Sequence, residues 1–435
     1  MSFPRYPAYK DSGVEWLGEV PEHWDVIPLK RLAGIQTGLA KGKEAEPESS
    51  IQVPFLRVAN VQDDFLDLND IHTIQIPERA LDRYLLRPGD VLMNEGGDSD
   101  KLGRGCIWNG EIKSCIHQNH VFAVRPHSIA PAWLNVYTSS MQANSFFTGR
   151  SKQSTNLASI SSSNLMDLPV PVAPIVESTQ ILNFLDYETA KIDALIAEQH
   201  RLIALLQEKR QAVISHAVTK GLNPDVPMKD SGVEWLGEVP EHWDVGPVKR
   251  FFSSLNSKRV PLSTEERGER QGEYPYYGAS GVIDYVDDYL FDEALVLVSE
   301  DGANLLNRST PIAFVARGLY WVNNHAHILK PIDRCVNFWA ERIEHLSLSP
   351  FITGSAQPKL TAEALGGIRI SVPPTTEERR GIEQHILDAT SQYTPLIIEA
   401  DAAIALLQER RSAVISAAVT GQIDVRGLVP EAVAA

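Results

Sequence analysis

The chain has 435 residues, 43% hydrophobic and 22% charged, with mean hydropathy −0.16, which fits two to four folded domains in an ordinary globular protein. No apolar run approaches the ~20 residues a membrane helix needs. The start, Met1 to Arg5, has no signal core, and the three cysteines (Cys106, Cys115, Cys335) lack CxxC spacing, so a cytoplasmic, metal-free protein without a disulfide framework is expected. The net charge of −16, with no segment net basic, argues against a free-standing basic nucleic-acid binder.

In chain order, Lys10–Arg31 reads as an irregular strap punctuated by Gly13, Gly18, Pro21 and Pro28 and carrying Trp16 and Trp24. Short strands come next at Ile51–Val58, Val91–Met93 and Val121–Val124, separated by turns at Pro88–Asp90 and Glu95–Asp98. Residues 131 to 147 read as short helices. From Glu177 to Ala217 the apolar residues recur at helical spacing. Leu185, Ile192, Leu206 and Val213 fall on one seam position and Leu195 and Leu202 on the other, and Gly221 with Asn223-Pro224 ends the helix.

The pattern then restarts. Lys229–Arg250 repeats Lys10–Arg31 at an offset of 219, with 20 of 22 residues identical, and brings Trp235 and Trp243. Strands come next at Leu295–Val298 and Ile312–Val315, and a short helix at residues 335 to 346. The last helix, Glu377 to Thr420, contains Pro395, which is expected to kink or interrupt it. Its Ile404–Thr420 repeats Ile203–Thr219 at an offset of 201, with 14 of 17 residues identical.

The order is therefore strap, insert, helix, twice over. The inserts differ far more, yet share a skeleton at a constant offset of 205: Val91-Leu92, Glu95 and Gly97 match Val296-Leu297, Glu300 and Gly302, and Asn119-His120 matches Asn324-His325. One fold used twice is expected, in α+β architecture. Two mixed α/β domains, 1–173 and 223–372, are joined by long antiparallel helices, 174–222 and 373–424, with a tail at 425–435. Matched frames predict two copies of one partner, and unlike inserts predict two different targets.

Catalytic patterns do not emerge. Gly38–Lys43 has the wrong spacing for a phosphate loop, HExxH and GxSxG are absent, and His117, His120, His325 and His327 lack acidic or cysteine company at ligand spacing. No catalytic residue, metal or cofactor is assigned. Asp63, Asp64, Asp67 and Asp70 read as a solvated acidic face.

Readout chemistry is present instead. The first insert offers Arg57, Asn60, Lys101, Arg104, Gln118, Asn119, His120, Arg150, Ser151, Lys152 and Gln153 in or beside loops. The second offers Tyr276, Tyr277, Asn304, Arg308, Asn323, Asn324, His325, Ser355, Gln357 and Lys359. Arginine grips guanine at two points, asparagine and glutamine do the same for adenine, and lysine and serine hold phosphates. Trp16, Trp24, Trp235 and Trp243 are expected either to bury in their own domain or to dock a partner.

The doubled DSGVEWLGEVPEHWDV strap, the doubled IALLQ(E)(K/R)R…AVIS helix, Asn119-His120 and Gly354–Leu360 together resemble the specificity subunit of type I restriction-modification systems. That resemblance implies two target-recognition domains, each reading half of a split asymmetric double-stranded DNA site, with the antiparallel coiled coil setting the spacing. It also implies two methyltransferase subunits bringing S-adenosylmethionine, and restriction or motor subunits bringing ATP and Mg²⁺, so that this chain itself is not an enzyme. The rival reading is a free-standing bivalent DNA-binding or scaffold protein without enzymatic partners.

Overall fold

The computed structural model describes residues 3–40, 50–97, 102–103, 105–153, 158–354 and 358–428. Two compact units emerge: residues 1–199 with 401–435, and residues 200–400.

In the first unit, strands Ala33–Thr37, Val121–Pro126, Asp90–Asn94 and Gly105–Trp108 lie side by side in that order, all antiparallel. The central strand Asp90–Asn94 is buried on both faces, which explains why its Val91–Met93 reads as a continuous apolar run rather than an alternation. Val91 and Met93 turn to one core with Phe122, Val124, Trp133 and Phe147, while Leu92 turns to a second core with Cys106, Trp108 and Val121. A smaller sheet places Ile116–His117 parallel to Ser50–Leu56, which pairs antiparallel with His72–Pro77.

The second unit repeats this wiring. Phe252–Ser254, Ala326–Pro331, Leu295–Ser299 and Ala313–Ala316 form the same four-stranded antiparallel order. Trp321–Val322 runs parallel to Gln271–Gly278, which pairs antiparallel with Gly281–Val286. Val296 and Val298 face one core and Leu295 and Leu297 the other. The constant-offset skeleton is thus one topology built twice.

The first long helix is Ile175–Lys220, 46 residues, or about 69 Å at ~1.5 Å per residue. It ends at Gly221, whose φ of +83° is the left-handed conformation that glycine adopts at low cost. Gly421, at +71°, closes the last helix, and a Cβ there would collide with the Pro21 ring.

The second repeat is broken in two, Thr376–Ser391 and Tyr393–Val419. Pro395 lies in the first turn of the latter, where its missing N–H has no intrahelical partner to lose. Its ring excludes a helical carbonyl four residues earlier, at Ser391, where the preceding helix stops. The expected interruption therefore falls just before the proline rather than at it.

Within the first unit the two helices run antiparallel. Arg411 pairs with Asp193 at 3.0 Å, while Ile415 faces Leu185, Asp186 and Thr189. Ile181, Phe184 and Leu185 share its core with Val414, Ile415, Ala418, Val419 and Val425. The second unit buries Ile214, Ala217 and Val218 with Ile382 and Ile386. Leu195 and Leu202, read from their spacing as seam residues, are instead 52% and 43% exposed, because the helix is buried where it meets the domain cores. No helix among the described residues is long and apolar enough to cross a membrane.

Candidate nucleic-acid interface

Each strap is fixed to the start of a long helix by one carboxylate. Trp24 Nε1 donates to Glu177 Oε1 at 2.9 Å, and His23 Nε2 sits 2.7 Å from Glu177 Oε2. Burial acts to raise the Glu177 pKa, but its polar neighbours Tyr6, His23 and Trp24 outweigh burial and hold it below the ordinary value. The second unit repeats the clasp: Trp243 Nε1 donates to Glu378 Oε1 at 2.9 Å and His242 Nε2 lies 3.0 Å from the same oxygen.

Trp24 and Trp243 are therefore buried, at 0% and 1% exposure, and present no surface to a partner. Trp16 is half-buried, 5.7 Å from Phe146. Trp235 is 40% exposed, edge-on to Phe351 at 5.0 Å. These two remain available at the surface.

The readout residues converge at one place in each unit. In the first, Gln118 N donates to Leu56 O at 2.8 Å, Glu95 N to His120 O at 2.9 Å, and Ile160 N to Glu95 O at 2.9 Å. Gly96 and Gly97 then pair with Ser159 and Ala158, which pair with Lys152 and Gln153. The second unit makes the same stitches: Asn323 N to Tyr277 O at 3.0 Å, Glu300 N to His325 O at 2.9 Å, and Leu360 N to Glu300 O at 2.8 Å, with Asp301 bridged to Lys359. Four distant segments thus meet twice in the same way.

At this meeting point an exposed imidazole leans on a carboxylate. His120 Nδ1 is 2.6 Å from Glu95 Oε2, and His325 Nδ1 is 2.9 Å from Asp301 Oδ2. Each leaves the other ring nitrogen, Nε2, pointing away from its acid. Asn324 beside His325 is exposed, and Asn119 beside His120 is half-exposed. Lys152 and Arg150 are exposed, Arg150 lying over the Phe146 ring at 5.0 Å. Lys359 is exposed and pairs with Glu300 at 3.3 Å, and Arg259 binds Glu300 together with the Ala326 carbonyl at 3.0 Å.

Other sequence candidates do structural work. Asn60 is 2% exposed; its Oδ1 accepts from Arg57 N at 2.9 Å and its Nδ2 donates to the Asp67 and Asp70 carbonyls. Tyr276 is 1% exposed and its hydroxyl accepts from Leu262 N, and Asn323 is 4% exposed with its Oδ1 accepting from His325 N. These three shape the loops and cannot meet a ligand.

Arg57 is half-buried and paired with Asp70 at 2.7 Å, an acid whose side chain stays 76% exposed. Arg308, at φ +49°, donates to the carbonyls of Glu344 at 2.6 Å and Leu346 at 2.5 Å. Asn304 is occupied by Thr310 and Ser309. Gln118, Ser151 and Tyr277 are half-buried, Ser151 donating to Thr148 O at 2.8 Å. Lys101, Arg104, Ser355, Gln357 and the Gln153 side chain lie outside the described residues.

Sequence reading named the histidines but not the acids that hold them. Glu95 already stood in the constant-offset skeleton, and Asp301 directly follows its counterpart Glu300, so the skeleton was the available signal. Buried His117 and His327 are not ligands: His117 Nδ1 donates to Val121 O at 2.7 Å and His327 Nε2 to Leu360 O at 2.7 Å, and burial pushes both pKa values down. No group of three or more histidine, cysteine or acidic side chains able to hold a metal occurs among the described residues.

Fold and site together define a duplicated recognition protein, with one loop cluster per unit on a shared frame. Comparisons specify the family. Residues 240–405 match the type I restriction modification DNA specificity domain. A Methanocaldococcus jannaschii protein named as a type I restriction enzyme specificity subunit is 23% identical over 385 residues, covering 83% of this chain and 86% of that one. A Haemophilus influenzae protein of the same designation is 31% identical over 169 residues, 38% of this chain and 40% of that one.

A chain from the solved structure described as showing complex assembly and conformational transition of the type I R-M system shares the fold. Its TM-score is 0.61 at 15% identity, covering 94% of this chain and 99% of that one. Residues 240–405 thus resemble a type I restriction modification DNA specificity domain, and the chain is similar to proteins named as specificity subunits of type I restriction enzymes.

Proposed function

We propose that each unit reads one half of a split, asymmetric DNA site through its loop cluster: Gln118 to His120 with Lys152 in the first unit, Asn324, His325 and Lys359 in the second. The observation that carries this reading is the four-segment convergence, built twice with the same backbone stitches and the same Asn-His pair, within inserts whose surrounding residues differ. Identical scaffolds with unlike tips suit two different half-sites.

The acidic balance is compatible because partner subunits supply part of the phosphate-binding surface. Two methyltransferase subunits dock on the duplicated frame and carry S-adenosylmethionine; flipping the target adenine out of the stack is their task. Restriction subunits carry ATP and Mg²⁺, and the assembly works in the cytoplasm. Support for paired docking comes from leucines repeated at the offset of 201, Leu195 with Leu396 and Leu205 with Leu406, all exposed. The relatives' designations favour this over a scaffold without enzymatic partners.

Exchanging residues 251–371 for those of another family member tests the reading. One half of the methylated sequence should change and the other remain. Change in both halves would overturn independent reading.

A further inference from the structure

The two loop clusters differ in the segment that leaves the first stitched strand. Leu56 and Tyr277 are equivalent, since Leu56 pairs with His117 as Tyr277 pairs with Val322, and each carbonyl accepts from the next turn. After Leu56 the chain enters a longer loop, residues 57–71, held by Asn60 and the Arg57–Asp70 pair. After Tyr277 it makes a tight hairpin: Gly278 pairs with Gly281, leaving only Ala279 and Ser280 at the tip.

This hairpin exposes two adjacent β-branched side chains, whereas the first unit's longer loop pairs Arg57 with Asp70 and exposes Phe65. Val282 and Ile283 are 42% and 52% exposed. Tyr277 pairs with Val282 and Tyr276 with Asp284, so Ile283 is the extra residue of a bulge. Bulges of this kind re-aim a side chain out of the regular alternation. Ile283 lies across Gly278, where a Cβ would meet its Cγ2 at 3.0 Å, so the missing side chain makes room for it. The tip adjoins the reading turn: Ser299 Oγ donates to the Ala279 carbonyl, and the next residue, Glu300, binds His325 and Lys359.

We propose that Ile283, with Val282, is a specificity-determining residue that packs on the 5-methyl group of a thymine in the half-site read by the second unit. A two-stranded β-ribbon fits the major groove, and thymine alone presents a methyl there. Lysine and histidine hold the duplex beside the tip, and two exposed β-branched side chains offer the complementary apolar contact. The inference rests on the DNA-reading function proposed above.

The test uses the full chain with its co-purifying methyltransferase and a duplex carrying the site mapped from methylated adenines. Thymines of each half are replaced in turn by deoxyuridine, which lacks only the methyl. For the second unit's half, assigned by the exchange of residues 251–371, affinity should fall about fourfold per buried methyl lost. Ile283→Ala should bind the thymine duplex more weakly and lose most of its discrimination between the two, with an unchanged melting temperature; Val282→Ala should show a smaller loss.

Specific binding that is indifferent to deoxyuridine, or an equal loss for Ile283→Ala on both duplexes, overturns the methyl contact while leaving DNA reading intact. The second outcome would assign Ile283 to protein contacts. Absence of any sequence-specific binding would overturn the DNA reading itself.

Discussion

Trp24 donates its indole N–H to Glu177 at 2.9 Å across 153 residues, and Trp243 makes the same 2.9 Å bond to Glu378 across 135. The strap, whose function its sequence alone leaves open, is thereby a clamp that ties the start of each unit to the helix that leaves it.

Removing the donor should show this. Trp24→Phe leaves the Glu177 carboxylate without one of its partners in a buried place and should cost about 1–3 kcal/mol. Trp243→Phe should cost a similar amount. Thermal unfolding of each variant checks the prediction, and the two units need not melt in one transition.

Acid should destabilise the chain in two stages. Burial holds His117 and His327 below 6.5, so the unfolded chain binds protons the folded one does not, and stability present above 6.5 is lost as pH falls toward their folded values. Glu177 is held below 4.5, so its contribution is complete above 4.5 and lost as pH falls through its folded value. His327→Gln should flatten the upper stage and spare the lower, and Glu177→Gln the reverse. Melting midpoints between about pH 8 and about pH 3 would read both stages.

Lys359 is exposed and paired only at its tip with Glu300. Lys359→Ala should leave the stability within about 0.5 kcal/mol of the parent. If it holds a phosphate, the slope of log affinity against log salt should become shallower by about 0.9, on matched and mismatched duplexes alike. Affinity measured at several salt concentrations decides; an unchanged slope would assign Lys359 to the Glu300 network alone.

Pro395 occupies a first-turn position where no hydrogen bond is lost. Pro395→Ala should therefore change stability by no more than about 1 kcal/mol, whereas Ala400→Pro, a buried mid-helix position, should cost about 3 kcal/mol or more. Circular dichroism melts compare the two.

Much of the architecture was legible because it is written locally and twice. Identity at fixed offsets exposed the straps and the helix ends, and β-branched runs exposed the buried central strands. The histidines of the reading turns were legible too, from Asn119-His120 and Asn324-His325. The fate of each polar candidate was not. Asn60 and Tyr276 have the composition of contact residues yet are sealed inside, because Asn60 is wrapped by its own loop through the Asp67 and Asp70 carbonyls and Tyr276 packs with Val286 and Trp321. The helix seam misled similarly: heptad spacing states which residues share a face, but only packing states whether that face is covered.

Sequence by itself determined the duplicated order, the strand and helix identities and the resemblance to type I specificity subunits, since periodicity and repeated motifs survive without contacts. Tertiary structure alone decided which side chains emerge at the loop clusters, which acids hold the two exposed imidazoles, and that residues 401–435 complete the first unit. Exposure and pairing are properties of what packs opposite a residue, and no local pattern encodes a neighbour that arrives from tens or hundreds of positions away.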